Sequence, residues 1–454
     1  MTAGPQNAWS RVREAAPLRD SGLELTVSEG MRAIQKNNRV YNAIIYTVAE
    51  PAIDSSARQD APLRGVPYVL KDCWDVAGMP ATGGSWRHRD RVPARSGALH
   101  GALARTGAVL LGKSSLSDLA FSPECDNHIL GPAKNPGDLT RTSGGSTGGG
   151  AVAVATGMAA FDWGGDFAGS IRMPAGFCGV VGLRLSALAW PVGGEHFPFM
   201  PEIFRPLLGW GPLARTVGDC RDVIRAVAKD LSAGLAAPEI ERDAVTIYAP
   251  DARTVAEWPS FVGDVATVLM QAGVSFEIEQ RLPSPNAINR TFDGYLCAHF
   301  DAFIRTGELP IREAVPAVLL GLLTNGRFDR RVHPTTGLLL ALTELGHLTV
   351  YRDKSRQTAR LEELRGAARK VWADGRLVLA PMCTQLPPRH GKAALTPGLA
   401  SFCKLANLTD ATAIAIPLGR FDREGGLPRS LQILGPPGSE DAVLDLAERI
   451  ESVC

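Results

Sequence analysis

Arg141-Thr-Ser-Gly-Gly-Ser-Thr-Gly-Gly-Gly150 and Gly164-Gly-Asp-Phe-Ala-Gly-Ser-Ile-Arg-Met-Pro174 decide how this chain is read. Between Gly144 and Gly182 there are 12 glycines in 39 residues, against 48 in all 454. A flexible Gly/Ser linker would be polar and featureless. This stretch is instead broken by apolar runs at 151–155 and 180–181, and by Asp162, Asp166, Arg172 and Arg184. Glycine at that density, among charges and small apolar residues, points to backbone that turns tightly or approaches a ligand closely. Ser146 and Ser170 stand in the two halves, 24 residues apart.

Outward from this stretch, short apolar runs over 66–70, 108–111, 159–163, 245–249, 274–278, 377–380, 413–417 and 431–434 predict strands. Longer patterns over 97–105, 148–158, 261–272 and 441–452 predict helices. Their alternation predicts an α/β fold with helices on both faces of a sheet. A length of 454 residues corresponds to about three domains at about 150 residues each. Strands at both ends of the chain argue for one sheet instead. Residues 282–375 break the rhythm with helical, Leu-rich patterns at 310–323 and 336–345, and read as a cap or insertion.

Composition narrows the function classes. Apolar residues make up 45% and charged residues 21%, a globular balance. Lys+Arg 48 against Asp+Glu 47 leaves +1, which excludes a chain-wide basic footprint for nucleic acid. The longest clean apolar run, 314–323, contains Pro316 and is far short of the ~20 residues that span a bilayer, so no membrane span is expected. The first residues lack the charged and apolar regions of a secretory signal. Eight cysteines without a C-x-x-C pair fit a reduced chain, and the expected location is cytoplasmic.

Three motifs lead elsewhere. Gly107-Ala-Val-Leu-Leu-Gly112-Lys113-Ser114 spells the phosphate-loop pattern, but its inner four residues are themselves a strand, so it reads as a core strand ending in a solvated lysine. Gly144-Gly-Ser146-Thr-Gly148 spells a nucleophile elbow, but the polar, turn-rich run before it is no buried strand, and His390 is the only tempting partner. Ser401-Phe-Cys-Lys404 spells S-x-x-K with no accompanying K-T-G.

Taken together, Lys71 at the end of Gly65-Val-Pro-Tyr-Val-Leu-Lys71-Asp72, Ser146 in its glycine run and Ser170 in Gly169-Ser170-Ile171-Arg172 resemble the amidase signature family. Its pattern is followed across 141–184, with further family-like segments at 65–82, 107–118, 211–219 and 405–435. The resemblance implies a single large domain with a mixed central β-sheet covered by helices on both faces, of which 282–375 is the divergent part. It implies a Ser–Ser–Lys triad with Ser170 as nucleophile, Ser146 as bridge and Lys71 as base. Lysine can serve as a base only when neutral, a state that burial favours. Ser146 can accept and donate at once and so relay the proton. It also implies a cis bond between Gly145 and Ser146.

The same resemblance places an oxyanion hole in the backbone N–H groups of Phe167, Ala168, Gly169 and Ser170, ahead of a helix opening at Ile171. Asp166 and Arg172 pair to hold that turn. Ala168 departs from the usual glycine, Phe167 from a smaller residue, Ser143 from proline and Thr147 from serine. Phe167, Thr147, Cys125, Trp210 and 314–323 are the expected substrate surroundings. The implied activity is hydrolysis of a carbon–nitrogen amide bond, with esters and carbamates as further substrates, on a small-molecule amide with no cofactor and no metal. The alternatives are the A-type subunit of a glutamine-dependent amidotransferase and a noncatalytic family member, and the hydrolase is compatible with a homodimer. The amidotransferase branch carries glutamine where this chain has Met173, and Ser-Leu-Asp-Gln where it has Leu207-Leu-Gly-Trp210.

Overall fold

Tyr68, Val69 and Leu70, at the centre of strand β2 (Pro67–Lys71), alternate between two buried faces. Val69 packs with Leu111, Ala151 and Ile171 on one side, and Tyr68 and Leu70 with Leu103, Phe161 and Trp163 on the other. A strand buried on both faces belongs inside a sheet that is covered by helices above and below. The computed structural model describes residues 22–191, 200–241, 243–248, 260–279, 282–307, 332–396, 398–418 and 427–454.

The strands, in chain order, are β1 (Ile44–Thr47), β2, β3 (Val109–Ser114), β4 (Phe161–Asp166), β5 (Val181–Arg184), β6 (Gly209–Ala214), β7 (Ala244–Tyr248), β8 (Ser275–Glu279), β9 (Leu377–Pro381), β10 (Thr412–Pro417) and β11 (Ser430–Gly435). They form one sheet in the order β1-β3-β2-β4-β6-β5-β10-β11-β9-β7-β8. Strands β3, β2 and β4 are parallel neighbours, whereas β4 and β6 run antiparallel, so the sheet is mixed. The helices are α1 (Val27–Tyr41), α2 (Ala98–Arg105), α3 (Gly148–Ala155), α4 (Arg172–Cys178), α5 (Val217–Leu231), α6 (Phe261–Gln271), α7 (Pro285–Ala298), α8 (Asp301–Thr306), α9 (Pro334–Leu348), α10 (Lys354–Trp372), α11 (Ser401–Thr409) and α12 (Glu440–Glu451). Thr26 and Glu29 form a reciprocal capping box on α1, as Thr216 and Asp219 do on α5.

Every predicted strand, and the helices predicted over 97–105, 148–158, 261–272 and 441–452, are present within a few residues. Lys113 is a correction. It does end a core strand, but it is fully buried, donating to Asp72 Oδ1 at 3.2 Å and to the carbonyls of Trp74 and Pro80. Between 282 and 375 the described residues are mostly helical, and α7 and α10 share a core with β9, β10 and β11 through Phe292, Leu364, Val378, Ala413 and Leu434. The Leu-rich stretch 310–323 lies outside the described residues.

Candidate active site

The glycines at 148–150 bring α3 onto the sheet at close range. A Cβ on Gly149 would stand 2.4 Å from the Ala43 carbonyl oxygen, and one on Gly148 2.4 Å from Cys125 Cβ. This proximity delivers Ser146, just ahead of α3, to the end of β2. Lys71 Nζ donates to Ser146 Oγ at 2.8 Å and to the Gly165 carbonyl at 3.3 Å, and both side chains are buried. The peptide bond Gly145–Ser146 is cis. Burial pushes the Lys71 ammonium below its usual range, against the raising pull of Cys73, Asp162 and Asp166.

Ser170 lines the same narrow cleft as Lys71, Ser146 and Gly165, and it also lines a larger cavity of 470 Å³. The two spaces share Ala120, Phe121 and Phe167 as well as Ser170. Among the described residues, apart from Lys404 and Asp293, which bond to each other at 2.8 Å, the cavity is lined by uncharged side chains, among them Phe121, Met173, Phe292 and Leu399. Phe167 stands edge-on to Phe292, with ring centroids 5.3 Å apart.

Asp166 and Arg172 are both fully buried and bonded through two parallel contacts, Nε to Oδ2 and Nη2 to Oδ1, each at 3.0 Å. Arg172 also donates to Gln432, Asn407 and the Cys403 carbonyl. Burial alone would raise the Asp166 carboxyl, but the Arg172 guanidinium outweighs it and holds the group well below the usual carboxylate range. The carboxylate also accepts from Gly169 N–H at 2.8 Å and Ile171 N–H at 3.2 Å. The turn carrying Ser170 is therefore tied to a fixed anion.

Three sequence expectations change here. The Gly169 N–H is taken up by Asp166, so the N–H groups without a partner among the described residues are those of Phe167, Ala168 and Ser170. What Gly169 supplies is conformation, with φ of +103° and room for Cys403, whose Cβ would lie 2.6 Å from an added one. Cys125 and Thr147 do not line the cavity or the cleft. Cys125 lies behind the glycine run against Gly148, while Thr147 N–H donates to the Ser170 carbonyl at 3.1 Å and braces the turn from behind. Trp210 packs on Trp74, away from the cavity.

The decoy motifs resolve too. His390 bonds to Glu124, while Ser146 has Lys71 as its partner. Ser401 donates to the Gly398 carbonyl and Lys404 to Asp293. Asn407, which donates to the Asp166 carbonyl at 2.6 Å, is a site residue that motif reading does not find. Its one signal is a polar residue inside the apolar run Leu405-Ala-Asn-Leu408.

A family profile described as Amidase matches residues 26–444. The A-type subunit of glutamyl-tRNA(Gln) amidotransferase from Prochlorococcus marinus is 33% identical over 218 residues, 46% of this chain and 43% of that protein. The matched stretch thus spans less than half of that relative. The same-named subunit of Halobacterium salinarum is 27% identical over 438 residues, 89% of this chain and 98% of its own. Among solved structures, a bacterial aryl acylamidase superposes with a TM-score of 0.72 at 20% identity, covering 99% of this chain and 96% of that one. The corresponding amidotransferase subunit of Thermotoga maritima gives 0.72 at 21%, covering 97% and 94%. These likenesses share the fold, and the profile match over 26–444 settles the lineage: the chain belongs to the amidase signature family.

Proposed function

We propose that this chain is an amidase that hydrolyses a carbon–nitrogen amide bond through a covalent acyl-enzyme on Ser170. The observation that carries this reading is the buried 2.8 Å bond from Lys71 Nζ to Ser146 Oγ in a cleft that Ser170 also lines. Neutral Lys71 takes a proton from Ser146 as Ser146 takes one from Ser170, and Ser170 Oγ bonds to the amide carbon. The N–H groups of Phe167, Ala168 and Ser170 receive the oxyanion. The relay then returns the proton to the leaving amine as the carbon–nitrogen bond breaks, and water, activated by the same pair, releases the acid. Eight cysteines that form no disulfide fit the proposed cytoplasmic location.

The apolar lining of the cavity favours an aryl or alkyl amide, with α7 and α9 as the part of 282–375 that caps it. A second reading, the A-type subunit of a glutamine-dependent amidotransferase, is favoured by the names of the relatives. Met173 on the cavity wall, where that branch carries glutamine, ranks it second. The test is the purified chain against a panel of anilides, alkyl amides, esters, carbamates and glutamine. Release of amine from anilides without a partner protein supports the hydrolase. Activity confined to glutamine, with a second protein co-purifying, would establish the alternative, and no turnover or labelling on any substrate would leave a noncatalytic member.

A further inference from the structure

Asp162 is wholly buried on β4, in register with Val69, and so faces the side of the sheet from which Lys71, two residues on, also projects. Ser114 on β3 is level with Lys71. Since β2 lies between β3 and β4, the 2.9 Å bond that Ser114 Oγ donates to Asp162 Oδ1 crosses the face of β2 beside the lysine. The second oxygen, Oδ2, has no hydrogen-bond partner among the described residues and points at α3, where a Cβ on Gly150 would stand 2.0 Å away. A buried carboxyl held by the Ser114 hydroxyl and the Trp163 backbone N–H is costly as an anion unless a cation lies close. Lys71, for its part, bonds only to a hydroxyl and a carbonyl among the described residues.

We propose that Asp162 is a positioning residue that sets the proton affinity of Lys71, holding its ammonium form during protonation of the leaving group. This rests on the reading of Lys71 as the base. Burial pushes the Asp162 carboxyl up to about 7, while the Ser114 hydroxyl and Lys71 lower it. Above neutral pH it is therefore an anion beside Lys71, and the lysine keeps its proton to higher pH. The other groups bearing on Lys71 are Cys73 beyond β2, Asp166 on β4 and Cys125 in its loop. Lys113 on β3 also bears on Asp162, and α3 brings no titratable group. Asp166 is committed to Arg172 and Lys113 to Asp72, which leaves Asp162 as the carboxylate able to respond.

The experiment measures kcat/KM against pH on one anilide for the wild type, Asp162→Asn and Ser114→Ala, with Tm recorded for each. Activity rises into the alkaline range as Lys71 loses its proton. In Asp162→Asn the midpoint of that rise should fall by about one pH unit or more. Ser114→Ala should move it the same way by less, because without its donor Asp162 stays neutral to higher pH. Should Asp162→Asn fail to fold, Ser114→Ala carries the test. A merely structural Asp162 would lower Tm and scale the rate at every pH without moving the midpoint, and that result would overturn the proposal. A wild type that turns over the anilide with no alkaline rise would remove the base role of Lys71, and this proposal with it.

Discussion

Lys71, Ser146, Asp166 and Arg172, on the sheet side of the cavity, are each no more than 1% exposed, whereas Leu342, Leu345 and Leu348 along α9 are 54%, 57% and 59% exposed. The sheet side is closed by glycine contacts and by a guanidinium with four protein partners. The helical side meets the cavity mainly with aliphatic and aromatic side chains, among them Phe292, Leu296, Leu339 and Leu342. A reaction centre needs fixed geometry within about half an ångström, whereas selection by an apolar wall needs only shape. The two regions should therefore respond differently to substitution: loss of chemistry on one side, altered preference on the other.

After loss of Ser170 itself, the largest expected effect is at Lys71, the proposed base. Lys71→Ala should lower kcat/KM on amides by about 10²–10⁴, the usual worth of general acid–base catalysis. Esters should lose less, because their leaving group needs less protonation. Paired anilide and ester assays read the ratio, and equal losses would break the link between Lys71 and the leaving group.

Next comes the buried ion pair. Arg172→Met leaves Asp166 as an uncompensated buried charge and should cost about 3–5 kcal/mol by denaturant melt. The sign with pH follows from the depressed carboxyl of Asp166. The pair's stabilisation is complete above the unfolded value of about 4, and is lost as pH falls through the lower folded value. The difference in stability between wild type and Arg172→Met should thus be constant at neutral pH and shrink in acid.

The smallest effect sharpens the contrast within a single helix. Leu340 is fully buried and Leu342 lines the cavity at its open side. Leu340→Ala should lower stability by about 2–5 kcal/mol and leave substrate preference alone. Leu342→Ala should barely move Tm, yet alter the preferred acyl length, since each buried methylene is worth about 0.8 kcal/mol. If both variants only melt earlier, α9 is core and not a selecting wall.

The same contrast explains what is legible in the sequence. Strands such as β2 and β10 announce themselves through β-branched and aromatic runs, and Ser146 and Ser170, which we propose act with Lys71, through their glycine surroundings. Strands β5 and β6 escape a local reading because Val181-Gly-Leu-Arg184 and Gly209-Trp-Gly-Pro-Leu-Ala214 carry glycine and proline that argue against a strand. Lys113 reads as solvated because its partner, Asp72, is 41 residues away. The family resemblance offers Gly169 N–H to the oxyanion, and the sequence counts Cys125 among the substrate surroundings, because neither packing depth nor the reach of Asp166 is written in either. Contacts such as Arg172 to Gln432, 260 residues apart, exist only once the sheet has formed.

The most direct test is covalent labelling of the folded chain with a fluorophosphonate, followed by peptide mapping. One adduct is expected, on the peptide carrying Ser170, that forms slowly in Lys71→Ala and vanishes in Ser170→Ala, together with a rate loss of about 10⁶ on amides. An adduct on Ser146, or one that persists with turnover in Ser170→Ala, would contradict the role proposed for Ser170.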